Sequence, residues 1–141
     1  MRAVFRLALL TLLTGAAPAL AQTVPPCPDT GGIETAQYPD GVPAPILKDF
    51  SSRYMPFAAP TEEFDATDMV STRISRRILW VKHRKDKWVI GFEQGGRAYS
   101  DHILLYNFTK GDLTARPAEE HVANPSTVCG KADGVLEDSE D

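Results

Sequence analysis

The chain has 141 residues, of which 43% are hydrophobic and 24% are charged, and its formal net charge is −4. These values are typical of a single folded domain and unlike those of a disordered segment. Net acidity argues against a nucleic-acid-binding protein, because such proteins carry a basic patch that usually makes the domain basic. A single long apolar stretch is present, at the N-terminus, so we expect no membrane span.

The first 21 residues are arranged like a secretory signal peptide. Arg2 and Arg6 flank the start of an apolar run over residues 7–13, and Ala19 and Ala21 supply small side chains for cleavage. The run is too short for a membrane-spanning helix. We therefore predict that residues 1–21 are a signal peptide and that the mature net charge is −6, since two arginines are removed. The product is expected to be soluble and exported to the periplasm or the extracellular space.

The chain has two cysteines, Cys27 and Cys129, far apart in the sequence. In an oxidising compartment an isolated pair of this kind predicts one disulfide, which would close a loop of about 100 residues. Two unpaired thiols are the alternative, because distant cysteines pair only if the fold brings them together. No histidine is spaced near either cysteine, so we predict no metal site.

Residues 22–45 are rich in proline and turn residues and are predicted to form an extended arm attached through Cys27. Residues 45–54 are predicted to form a short helix, because Ile46, Phe50 and Tyr54 recur at helical spacing and Pro45 suits the first turn. A single globular domain is predicted over 46–130. Residues 131–141 are predicted to be an acidic, solvated tail.

Residues 74–108 favour antiparallel strands. Runs rich in β-branched and aromatic residues at 74–84, 87–94 and 97–108 are separated by turns at Lys85 and Asp86 and at Gly95 and Gly96. A fourth short strand is predicted at 113–116, with irregular chain after Pro117. The predicted fold class is mainly β, or α+β: an antiparallel meander of four or five strands with one short helix and a proline-rich arm.

Two-residue turns fix the register of the predicted sheet. They place Phe92 opposite Tyr99, Ile90 opposite Asp101 and Trp80 opposite Gly91, a large ring over bare backbone. The core face would then be Leu79, Val81, Trp88, Ile90, Phe92, Tyr99, Ile103 and Leu105. The opposite face would be mixed in character. A three-residue first turn would reverse the faces of the first strand.

Basic residues are concentrated in the first predicted hairpin: residues 71–97 have a net charge of +6, between segments that are each −6. We predict a binding surface there, for an unknown protein or an anionic ligand of the cell envelope. Its residues would be Arg76, Trp80, Lys82, Arg84, Lys85, Lys87 and Tyr106. The alternative is that these are solvated strand residues, or that they pair with the acidic arm and tail of the same chain.

A second candidate site is a buried polar group of Tyr99, Asp101 and His102. A carboxylate on the apolar face would have a raised pKa unless paired, and such groups cluster at functional sites. The alternative places Asp101 at a sheet edge or bulge, or pairs it with Arg97 or with a residue of the arm. His83 and His102 fall on opposite faces, so they predict no shared metal. Serines are present, but no nucleophile-elbow motif places one.

The absence of catalytic spacing favours an exported binding or interaction protein over an enzyme, and no cofactor is predicted. One alternative is a small exported hydrolase or isomerase with a pocket near Asp101. Another is an inhibitor of a cell-envelope enzyme.

Overall fold

A computed structural model of the protein describes residues 27–67 and 74–138. The predicted signal peptide and its cleavage site lie outside the described residues. Within them, no helix is long and apolar enough to cross a membrane.

The fold is a five-stranded sheet in which each strand pairs antiparallel with the next along the chain. The strands are β1 (Glu34–Ala36), β2 (Arg76–Arg84), β3 (Lys87–Gln94), β4 (Ser100–Asn107) and β5 (Pro117–Ala123). Helix α1 (Ala44–Tyr54) precedes β2, and helix α2 (Val128–Glu137) follows β5. The predicted mainly-β antiparallel meander with a short helix is therefore confirmed, and the structure adds a second helix.

Helix α1 covers one face of the sheet. Prolines occupy its first turn, where a missing N–H is tolerated, and the helix ends at Tyr54, two residues before Pro56. Ile46 and Phe50, four residues apart, are fully buried against the sheet. The ring of Phe50 lies 4.5 Å from Phe57 and 5.9 Å from Phe92, measured between centroids. We call this the α1 face; its buried strand residues are Ile78, Val81, Ile90, Phe92, Leu104 and Tyr106.

Helix α2 covers the opposite face. The sequence predicted irregular chain for this segment, with an acidic tail from residue 131. Val128, Ala132 and Leu136 recur every four residues and are buried. Two glycines, Gly130 and Gly134, weaken the helical propensity of this segment, so the helix depends on packing and is hard to recognise from sequence. We call this side the α2 face; its buried strand residues are Trp80, Val89, Ile103 and Leu105.

The predicted pairing of Trp80 with Gly91 is confirmed. A Cβ atom on Gly91 would lie 2.6 Å from Cε2 of Trp80, so only glycine leaves room for the indole ring. The ring belongs to a second core and is not part of a mixed surface.

The predicted register of β3 and β4 is wrong. The connecting loop is residues 95–99, so Gln94 pairs with Ser100 and Phe92 with His102. Gly95 does not form a tight turn because its N–H donates to the Ser75 carbonyl and its Cα lies against the backbone of Asp65. The three-residue offset is odd, so every β4 side chain lies on the face opposite to the one predicted.

Two smaller predictions also fail. A β-bulge between Ile78 and Trp80 places Ile78, not Leu79, opposite Phe92. The fourth predicted strand, 113–116, is a loop, and β5 begins instead at Pro117. Proline is tolerated as the first residue of an edge strand, where no hydrogen bond from its nitrogen to a neighbouring strand is needed. Part of the predicted arm forms β1, and α1 starts within it, at Ala44.

The predicted disulfide between Cys27 and Cys129 is confirmed, with a Cα–Cα separation of 5.4 Å. It attaches the N-terminal arm to α2, so both ends of the described chain meet on the α2 face.

Candidate functional site

Much of the predicted basic and aromatic binding surface is not a surface. Trp80, Lys82 and Tyr106 are 5%, 0% and 0% exposed. The prediction fails for these three because a helix covers each face of the sheet. Arg76 is half-buried, and its guanidinium donates to the Gln94 side chain and to the Tyr54 carbonyl. Arg84, Lys85 and Lys87 remain at the accessible end of the hairpin.

Lys82 shows where part of the basic charge is compensated. Its Nζ donates to the Pro28 carbonyl at 2.6 Å and to Asp133 Oδ1 at 3.1 Å. Lys82 therefore pairs with the chain's own arm and C-terminal segment, as the alternative interpretation of the basic residues predicted. Lys82 links the arm, the sheet and α2 next to the disulfide.

The predicted polar trio is divided between the two faces. Asp101 is fully buried, as predicted, but it lies on the α2 face opposite Glu93 and Ala123. Tyr99 donates a short hydrogen bond to Glu93, whereas His102 lies on the α1 face against Phe92. These three side chains therefore do not form one site.

Glu93 and Asp101 form a buried pair of carboxyl groups, and among the described residues Arg77 is the cation that contacts the pair. Arg77 Nε donates to Glu93 Oε1 at 2.5 Å, and its guanidinium lies 4.4 Å from the ring centroid of Phe64. Neither oxygen of Asp101 has a hydrogen-bond partner among the described residues. Burial, together with the nearby charge of Glu93, raises the pKa of Asp101 to about 6. Asp101 is fully buried, so its carboxyl group does not contact solvent.

An open cleft of about 720 Å³ lies at the other end of the strands, between the start of α1, the β2–β3 turn and the loop after β4. Its apolar wall includes Val42, Pro43 and Pro45. Trp88 and Phe108 also line it, with Lys85 and Lys110 as its basic groups and Asp40 and Asp86 as its acidic groups. Trp88 is half-buried and stacks on His83 at 4.4 Å, which fixes the ring.

Lys85 occupies the β2–β3 turn with a φ of 55°. A left-handed conformation of this kind is needed by a two-residue hairpin turn but is favoured by Gly, Asn and Asp. Holding a lysine there costs roughly 1 kcal/mol of strain. The turn therefore has a cationic side chain at the edge of the cleft, at a position where glycine would cause less backbone strain.

Ser100, His102 and Glu120 form a hydrogen-bonded chain on the α1 face. His102 Nε2 lies 2.9 Å from Ser100 Oγ, and His102 Nδ1 lies 3.2 Å from Glu120 Oε1. The alternation of Ser100 and His102 on one strand was a usable sequence signal. Glu120 was missed because β5 was not predicted at its observed position.

Comparison with family models, curated proteins and solved structures finds no match to the chain. Among the described residues, no group of three or more His, Cys, Asp or Glu side chains is placed to hold a metal ion.

Proposed function

We propose that the protein is an exported binding protein whose ligand occupies the cleft beside Trp88 and the β2–β3 turn. The observation that carries the proposal is the cleft itself, which combines about 720 Å³ of space, an apolar wall and a fixed aromatic ring. Binding sites commonly pair apolar walls with a few placed polar groups. The strained lysine at its lip supports a role for that side chain beyond folding.

The lining has two lysines and two aspartates, and the excess positive charge of the adjoining turn favours an anionic ligand with an apolar or ring-shaped part. Pro43 and Pro45 leave few free backbone N–H groups at the start of α1, so charge recognition falls to side chains. The turn segment 84–87 has three basic residues and one acidic residue, and Lys110 is also at the cleft. Trp88 offers a surface for stacking. An acidic component of the cell envelope fits these features.

Export is supported by the leader sequence and by the disulfide, since disulfides persist in oxidising compartments. Secretion is tested by expressing the full chain with a C-terminal tag and determining the N-terminus of the product. We expect export and a mature N-terminus at Gln22.

The two tryptophans allow the binding proposal to be tested within one sample. Each gives a separate indole N–H signal in an NMR spectrum of the ¹⁵N-labelled protein. We expect a uronic-acid oligosaccharide or an oligoglutamate peptide to shift the Trp88 signal, because Trp88 lines the cleft. The Trp80 signal should stay in place, because Trp80 is buried on the other face. The two probes distinguish a glycan from a peptide source of the carboxylates.

Two charge reversals provide the matched comparison. Lys85→Glu should weaken the Trp88 response at least about tenfold in apparent affinity, which corresponds to about 1.4 kcal/mol. Arg97→Glu changes the charge equally but lies in the exposed β3–β4 loop, at the far end of the strands, and should leave the response unchanged. Equal effects of the two variants, or no Trp88 shift with either probe, would contradict the proposed site.

A further inference from the structure

The chain of Ser100, His102 and Glu120 lies at the opposite end of the strands from the cleft. Ser100 and His102 are two residues apart on β4, so their side chains share the α1 face. Glu120 lies on the neighbouring strand, paired with Leu104. The separation of the two regions means that evidence for or against one does not decide the other.

The two hydrogen bonds determine the tautomer of His102. The Glu120 carboxylate can only accept, so Nδ1 carries the proton and donates to Oε1 at 3.2 Å. In the neutral imidazole, Nε2 is then unprotonated and accepts from the Ser100 hydroxyl at 2.9 Å. This is the arrangement in which a histidine serves as general base towards a serine while a carboxylate orients its ring.

Neighbouring groups hold the arrangement in place. The His102 ring is stacked on Phe92 with a centroid distance of 4.8 Å and an interplanar angle of 9°. Glu120 is fixed from its other oxygen by the Tyr54 hydroxyl, which donates to Oε2 at 3.1 Å. Each member of the chain therefore has a defined orientation, which a chance contact between mobile surface side chains would lack.

The site is accessible and has groups suited to an ester. The His102 side chain is 16% exposed, and Val122, directly opposite it on β5, is 58% exposed and offers apolar contact. Gln94 lies directly opposite Ser100, and its amide oxygen accepts from Arg76 Nε. That bond directs the amide oxygen towards Arg76, and we assign the NH₂ group of this residue as the donor to a carbonyl oxygen that gains negative charge.

We infer that Ser100 is the nucleophile of an acyl-transfer site for short acyl esters. Ser100 Oγ bonds to the ester carbonyl carbon while its proton passes to His102 Nε2. The carbon–oxygen bond to the alcohol then breaks, and the alcohol leaves with that proton. Water, deprotonated by His102, attacks the acyl–serine ester and releases a carboxylic acid and free Ser100. An open site suits a small acyl group, such as an acetyl ester, displayed on a larger molecule.

Two readouts on the mature, disulfide-bonded chain test the inference. A fluorophosphonate should label Ser100, identified by peptide mass spectrometry, and 4-nitrophenyl acetate should be hydrolysed faster than 4-nitrophenyl octanoate. Ser100→Ala should abolish labelling and lower kcat/KM at least about 100-fold, and His102→Gln should have a comparable effect. Glu120→Gln should lower kcat/KM less, because Glu120 acts through His102 as a positioning residue.

Ser126→Ala is the matched control, since Ser126 is exposed and bonds to Asn124 in the turn before α2. Its activity and labelling should equal those of the wild type. Hydrolysis that survives in Ser100→Ala would mean that the imidazole acts alone, and would overturn the inference. Failure of the fluorophosphonate to label Ser100 in protein that denaturation shows to be folded would also overturn it. Neither result would bear on ligand binding at Trp88.

Discussion

Each face of the sheet buries a cluster of apolar side chains beneath a helix, but the two faces use polar groups differently. On the α1 face the polar groups form short, paired chains that reach solvent, such as Ser100 with His102 and Glu120. On the α2 face charges are buried and tied to the chain ends, as with Lys82, Asp133 and the disulfide. Buried polar atoms without a partner among the described residues, in Asp101 and Trp80, also lie there.

This difference indicates a division of roles. Paired, partly exposed polar groups are placed to contact other molecules at little cost to folding. Removing the partner of a buried charge destabilises the folded state, so we expect substitutions of the paired charges on the α2 face to lower the free energy of unfolding. We infer that polar groups on the α1 face serve the candidate sites and that the buried charges on the α2 face serve folding.

Among the substitutions that test this difference between the faces, removal of the disulfide should lower the free energy of unfolding most. The Cys27→Ser/Cys129→Ser variant loses a cross-link between residues 102 positions apart, which chain-entropy models value at about 4–5 kcal/mol. We expect urea denaturation to show a loss of about 4 kcal/mol in unfolding free energy. A loss below about 1 kcal/mol would mean that the α2 face does not depend on the arm.

Asp101→Asn should stabilise the protein by about 2 kcal/mol at pH 7. The pKa of Asp101 is raised to about 6 from 3.8, so the folded state favours the protonated form. Stability from this group is fully present below about pH 4 and is lost as the pH rises through 6. Urea denaturation of the wild type and of Asp101→Asn at pH 4 and pH 7 checks this. The variant should have the higher free energy of unfolding at pH 7 alone. An equal gain at both pH values would assign the effect to packing and not to charge.

The sequence predicted the elements better than their faces. Strands β2 and β3 and their turn could be located because Lys85 and Asp86 separate two β-rich runs, and the Trp80–Gly91 pair followed from that turn. The face of β4 could not be predicted, because Gly95 and Gly96 have the composition of a tight turn while tertiary contacts with Asp65 and Ser75 open the loop. The odd offset then moved Asp101 and His102 each to the face opposite to the one predicted.

Because of these errors, the candidate sites could be predicted only in part. Ser100 and His102 could be placed on one face from their spacing, but their connection to Glu120 required β5, whose proline and exposed acids resemble loop. The cleft lies between the start of α1, the β2–β3 turn and the loop after β4, which are far apart in the sequence, so no local pattern encodes it. Helix α2 escaped prediction because its two glycines disfavour a helix that packing nevertheless stabilises.

The most direct test of the division between the faces compares the two tryptophans by urea denaturation. Trp80 is buried over Gly91 on the α2 face, and Trp88 is half-buried beside the cleft on the α1 face. We predict that Trp80→Ala lowers the unfolding free energy by about 4 kcal/mol and Trp88→Ala by about 1 kcal/mol. Equal losses, or a larger loss for Trp88→Ala, would contradict the account.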